Sequence, residues 1–200
     1  LGQPWRIWHA LVFWNPHSGM FEVAWCVMLY TAVLGLEFAP VVFEGLRLER
    51  PRRILHAFGT PLVIAGVVLS TLHQSSLGSL YLIVPEKLHP LWYSPLLPVL
   101  FYLSAIGAGM GMVILESAMS RRAFGRHLEM ALLEPLGRAM VVVLGLYGIL
   151  RLQLLARGGV LGQAFVPGYE SAMFLTEFGV GVVLPVVLLV IPRVRTSQSG

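Results

Sequence analysis

The sequence predicts an all-α integral membrane protein, a bundle of about five transmembrane helices, on three observations. Of its 200 residues 56% are hydrophobic and only 12% charged, with a mean hydropathy of +0.77; a water-soluble domain carries about a quarter charged residues. The apolar residues are gathered into runs of roughly 20, the length a helix needs to cross the hydrocarbon layer. The alternating segments of about ten residues that mark a β-barrel are missing.

Each element follows from that pattern. Residues 1–19 carry Trp5, Trp8 and Trp14 and are broken by Pro4 and Pro16, which reads as a segment lying in the aromatic belt of the interface. A transmembrane domain then occupies 20–192, with spans at about 20–43, 54–72, 96–117, 131–155 and 171–191. Residues 73–95, with HQSSLGS and HPLW, read as a long polar and aromatic connection between the second and third spans, and 193–200 as a tail. Leu1 rather than Met opens the sequence, and we expect further chain upstream.

The basic residues orient the bundle. Arg47, Arg50, Arg52 and Arg53 follow the first span, Arg121, Arg122 and Arg126 the third, and Arg193 and Arg195 the fifth, whereas the opposite loops hold only Arg6, Lys87 and Arg157. The positive-inside rule assigns the arginine-rich loops to the cytoplasm and HQSSLGS to the outside. The formal net charge of +4 is thereby topology information rather than a nucleic-acid surface. A single cysteine, Cys26, leaves no internal disulfide, all-cysteine iron–sulfur cluster or structural zinc site to this chain alone.

The acidic residues, all Glu, carry the strongest chemical signal. Glu22, Cys26, Tyr30, Glu37 and Glu44 fall within roughly 80° of arc at about 100° per residue, so they share one face of the first span. Glu22 to Glu44 is about 33 Å at 1.5 Å per residue. A carboxylate inside a bilayer is costly and marks a bundle interior or a water path. One reading is a proton path; the other is that Glu22 and Glu44 mark helix ends and only Glu37 is embedded. By the orientation above, His73, Arg151 and Glu177 lie toward the outside with Glu22. Glu116, Glu134 and Arg138 lie toward the cytoplasm with Glu44. Glu134 and Arg138 also suit a plain i,i+4 ion pair, and Arg151 a snorkelling side chain.

HQSSLGS, with His73, Gln74, Ser75 and Ser76, suits either a carbonyl-bearing headgroup or ordinary helix capping. Of the six histidines only His56 and His73 touch a span, at opposite ends of one predicted helix, which disfavours a bis-histidine haem within this chain. The glycine-rich stretch 107–112 (GAGMGM) reads as close helix packing.

Residues 22–40 (EVAWCVMLYTAVLGLEFAP), 72–80 (LHQSSLGSL), 89–92 (HPLW) and 114–116 (ILE), with Tyr169, Met173, Phe174 and Glu177, carry a resemblance. The chain resembles the membrane subunit of hydrogenase-2-type NiFe hydrogenases, within the polysulfide reductase (NrfD-like) family. The resemblance implies a larger subunit of about ten spans, of which this chain would be a fragment, in the bacterial inner membrane. It implies a haem-free anchor for a periplasmic, ferredoxin-like iron–sulfur subunit and the large and small hydrogenase subunits. That anchor would exchange electrons with membrane quinone, menaquinone by expectation, with iron–sulfur clusters only in the partners and no metal in the chain.

On that implication the quinone site takes His73, Gln74, Ser75 and Ser76, with Tyr30, Arg151 and Glu177. The proton path takes Glu22, Glu37, Glu44 and Glu116. The competing readings are a purely structural anchor, the membrane subunit of a molybdenum reductase of the same family, and a transporter; the paired broken helices of a transporter are not visible.

Overall fold

The computed structural model describes residues 4–6, 8–15, 17–125 and 130–192. Leu1, Pro16, Arg126, Arg193 and Arg195 of the sequence reading, and the tail 193–200, lie outside the described residues. Five helices are long and apolar enough to cross a membrane: Gly19–Gly45, Gly59–Ile83, Leu97–Phe124, Met130–Arg157 and the compound Tyr169–Val190. Their flanks are apolar and exposed, as in Val63, Ile64 and Val67, each more than half accessible. Such surface suits lipid, which leaves a helix's backbone satisfied only by its own hydrogen bonds. The chain divides into two compact units, Leu1–Leu80 and Tyr81–Gly200.

The first unit opens with a 3-10 turn, Pro4–Arg6, and a short helix α1, His9–Val12. Trp14 packs edge-on against Phe21 and Trp25, with ring centroids at 5.2 and 4.9 Å. This aromatic knot leads into α2, Gly19–Gly45. The helix closes with Leu48 N–H donating to Phe43 O at 2.9 Å and Arg47 N–H to Glu44 O at 3.1 Å. This crossed pair is a Schellman motif, and it holds Arg47 at φ 58°, in the left-handed region usually given to glycine. A nine-residue helix α3, Glu49–Ala57, joins it to α4, Gly59–Ile83.

Two sequence expectations are corrected here. Residues 54–57 belong to α3 and not to the second span, so His56 and His73 stand on different helices. HQSSLGS is not a connection: it forms the last turns of α4, and the link to the next helix shrinks to 84–96. The physical reason is that hydroxyls need not break a helix. Thr71 Oγ1 donates to Val67 O at 2.8 Å and Ser79 Oγ to Ser75 O at 3.0 Å, satisfying themselves on the preceding turn. Gly78 is buried in the same helix, and no proline appears until Pro85.

In the second unit a 3-10 turn, Pro85–Lys87, precedes α5, Leu97–Phe124, which ends on Gly125 at φ 63° with its N–H on Arg121 O at 2.8 Å. Antiparallel to it runs α6, Met130–Arg157. The glycine stretch does bring helices together. A Cβ at Gly107 would stand 2.7 Å from Leu144 Cδ2, and one at Gly111 3.4 Å from Met140 Cε, the close approach small residues permit between membrane helices. A 3-10 turn, Leu161–Phe165, leads to α7, Tyr169–Phe178, where Ser171 Oγ donates to Val166 O and Gly168 O. One wide π turn, Gly179–Val183, follows, with Leu184 N–H reaching Gly179 O, before α8, Leu184–Val190. The core of this unit is Leu91, Leu155, Ala164 and Phe174.

Candidate functional site

In the first unit the Glu face of α2 meets α4. Ser76 Oγ donates to Glu22 Oε1 at 2.6 Å, tying the first turn of α2 to the HQSSLGS turns of α4. His73 stands three residues before Ser76, on the same face of α4. Its Nδ1 is buried and has no hydrogen-bond partner. Buried polar atoms are nearly always paired, so an unpaired one calls for a ligand, water or ion. Gln74 and Ser75 are half-buried beside them, as are Cys26 and Tyr30 on α2.

Farther along α2, Glu37 is half-buried and its Oε1 would lie 3.6 Å from a Cβ added at Gly66, a buried position of α4. The Glu37 carboxyl group thus packs within ordinary contact distance of α4 at Gly66. At the end of α2, Glu44 pairs with Arg52 at 3.4 Å, and Arg52 also pairs with Glu49 at 3.6 Å. Glu44 is therefore engaged by α3 rather than set in the bundle.

The second unit gathers Arg151, Glu177 and two residues that the sequence reading did not select as site residues, Trp92 and Tyr147. Arg151 is only 5% exposed. It donates to Leu91 O at 2.8 Å and Trp92 O at 3.2 Å, and its guanidinium carbon lies 5.9 Å from the centre of the Phe174 ring. The guanidinium fork turns inward and caps the HPLW segment. That segment is itself a tight turn, with Trp92 N–H on His89 O at 2.9 Å. Trp92 Nε1 donates to Glu177 Oε2 at 2.6 Å, and its ring meets Phe174 edge-on at 6.0 Å. Arg151 Nε is buried and unpaired.

Beside this group lies a cleft of about 300 Å³, with Trp92, Phe101, Tyr147, Arg151 and Glu177 in its wall, at the small end of the range for ligand sites. Tyr147 was within reach of the sequence: it stands four residues before Arg151, on one helix face. The Trp92–Glu177 link, 85 residues apart, had no local signal.

The remaining sequence candidates, Glu116, Glu134 and Arg138, all belong to the second unit. Glu116 is exposed on α5, and Glu134 forms a 2.5 Å ion pair with Arg138, as the i,i+4 spacing allows. No three His, Cys or Glu side chains among the described residues converge as metal ligands would.

Comparison with known proteins bears on the whole chain. The profile of the family described as polysulphide reductase, NrfD, matches residues 1–199. The chain is 33% identical, over 96% of its length and 51% of the relative's, to an Escherichia coli protein named probable Ni/Fe-hydrogenase 2 b-type cytochrome subunit. It is 29% identical, over 98% of its length and 52% of the relative's, to the menaquinone reductase integral membrane subunit of Nitratidesulfovibrio vulgaris. A further N. vulgaris protein is 48% identical over 64% of this chain and 32% of its own length. The matched segments cover from about a third to about half the length of these relatives. No solved structure matches it.

Proposed function

The chain belongs to the NrfD polysulphide reductase family and is a multi-pass integral membrane protein, and from that premise we propose that it is the quinone-reacting membrane subunit of a respiratory complex. It passes electrons between a ferredoxin-like iron–sulfur subunit of a periplasmic NiFe hydrogenase and membrane menaquinone. The E. coli relative's name supports the hydrogenase partner, and the N. vulgaris relative's name the menaquinone.

The observation that carries the reading is the Glu22–Ser76 hydrogen bond beside the unpaired, buried Nδ1 of His73. Reduction of a quinone to a quinol takes up two electrons and two protons, one on each oxygen. Both electrons come from the iron–sulfur partner. A headgroup carbonyl accepts a hydrogen bond from the His73 imidazole, with Gln74, Ser75 and Tyr30 bounding it. His73 supplies one proton and Glu22, oriented by Ser76, delivers the other. Glu37 and Glu44 link the site to the cytoplasmic face, with water between them, because 15 residues of helix from Glu22 to Glu37 is about 22 Å. No haem in this chain is needed by that route.

A second reading has one specific observation in its favour. The cleft lined by Trp92, Tyr147, Arg151 and Glu177 offers aromatic walls and a free guanidinium N–H to a headgroup carbonyl.

One assay tests both readings: hydrogen oxidation by the purified full-length complex in liposomes, with menaquinone or a soluble dye as acceptor. Glu22→Gln and His73→Ala are expected to lose menaquinone activity and keep dye activity. If instead Tyr147→Phe alone does so, the headgroup sits in the second cleft. Equal loss of both activities, or of neither, in all three variants returns the chain to a purely structural anchor.

A further inference from the structure

The quinone reading uses nothing of the segment between α2 and α4 beyond the Glu44–Arg52 pair, yet that segment is the most densely charged in the chain. At about 100° per residue, Arg52, His56, Glu49, Arg53 and Arg50 occupy one arc of α3. Ile54, Pro51 and Leu55 occupy the other. A helix divided in this way lies along a membrane surface rather than across it. The large side chains at its level stay uncovered by protein: Leu46, Ile54 and Phe58 are each more than half exposed.

The charge is one-sided. Arg52 is matched by Glu44 and Glu49. Among the described residues Arg47, Arg50 and Arg53 have no carboxylate within ion-pair distance, and all three are exposed. Two hollows of about 390 and 440 Å³ lie on the helix and share Glu49 and Arg53; the first adds Arg52 and His56, the second Arg50 and Ile54. Arg47 adds an independent observation. It fills the left-handed position of the α2 C-terminal motif, where glycine closes the turn with less strain. An arginine at a position that favours glycine supplies charge at a conformational cost.

We propose that α3 and Arg47 form a binding surface for the phosphodiester headgroup of an anionic phospholipid. Arg50 and Arg53 engage the phosphate oxygens, for which a guanidinium fork is well matched. Arg47 adds a third cation, and Leu46, Ile54 and Phe58 lie among the acyl chains. A free phosphate ion satisfies only the charged half of this surface, which is why a lipid is the occupant. On the positive-inside orientation the surface meets the cytoplasmic leaflet, where juxtamembrane arginines attract anionic lipid.

The test is native mass spectrometry of the purified full-length complex titrated with phosphatidylglycerol or phosphatidylcholine, in wild type, Arg47→Gly and Arg50→Gln/Arg53→Gln. The wild type is expected to retain phosphatidylglycerol selectively. Each arginine lost weakens that retention about fivefold, so the double variant falls about 25-fold, and phosphatidylcholine is unaffected. Arg47→Gly is the decisive arm, because glycine suits the turn: its melting temperature is expected to hold or rise while lipid retention drops. Equal retention of the two lipids by wild type overturns the proposal. So does unchanged selectivity in all the variants, or displacement of the lipid by millimolar inorganic phosphate, which would mark a site for a free anion.

Discussion

Glu22 and Ser76, 54 residues apart in sequence, share a hydrogen bond of 2.6 Å between α2 and α4. The bond joins the two sequence features with the most chemistry, the Glu face and HQSSLGS, at the first turn of α2. Ser76→Ala removes the donor and leaves the Glu22 carboxyl without it. The expected cost is about 1 kcal/mol of stability and a fall in menaquinone turnover, with Ser76→Thr retaining most of both. Thermal unfolding in detergent beside liposome turnover checks this, and full turnover in Ser76→Ala would sink the positioning role.

Glu37 faces the buried Gly66 of α4. Under the proton-path reading Glu37→Gln lowers kcat for menaquinone by about tenfold or more and leaves KM for menaquinone and dye activity unchanged. Gly66→Ala places a methyl group in ordinary contact with the carboxyl and Val33, so it folds and slows turnover less. A kcat for Glu37→Gln equal to that of wild type removes Glu37 from the path.

Arg151 holds the carbonyls of Leu91 and Trp92. Arg151→Met strands both of them in a buried site and is expected to destabilise the second unit by about 2–4 kcal/mol. Arg151→Lys keeps the charge but not the two-pronged geometry, and falls between the two. Melting temperature is the measurement, with protease cleavage near HPLW as a local readout.

Gly107 and Gly109 differ by two residues and oppositely in consequence. Gly107→Val drives a side chain into the buried Leu144, at a cost of about 1–3 kcal/mol, and Leu144→Ala relieves part of it. Gly109 has nothing within 4 Å of a Cβ, so Gly109→Ala is expected to be neutral or mildly stabilising. Matched losses in the two variants would show that α5 and α6 do not pack through Gly107.

How much of this was legible in the sequence depends on whether the cause is local. Apolar runs of roughly 20 residues imply helices that cross, and the 4- and 7-residue spacing of Glu22 through Glu44 implies a shared face, because both follow from helix geometry alone. HQSSLGS misleads because polar residues suggest a loop, whereas Thr71 and Ser79 bond back within the helix. The cluster at Arg47–Arg53 suggests a loop for the same reason, and its two-faced arc appears only once 49–57 is known to be helical. Trp92 with Glu177, and Arg151 with two backbone carbonyls, depend on tertiary contacts 59 to 85 residues apart. No periodicity encodes those.

The wide turn at Gly179–Val183 divides the last crossing into two registers offset from each other. A π turn accommodates one residue more than an α turn, which rotates everything after it by about 100°. The side of α8 that faces α6 is therefore offset by about 100° from the side of α7 that places Phe174 and Phe178 there. Deleting one residue among 179–183 would restore a straight helix and swing Val187 and Leu188 around the axis, leaving the Trp92–Phe174 contact in place. The two halves of this crossing therefore present faces to α6 that an unbroken helix of the same sequence could not present together.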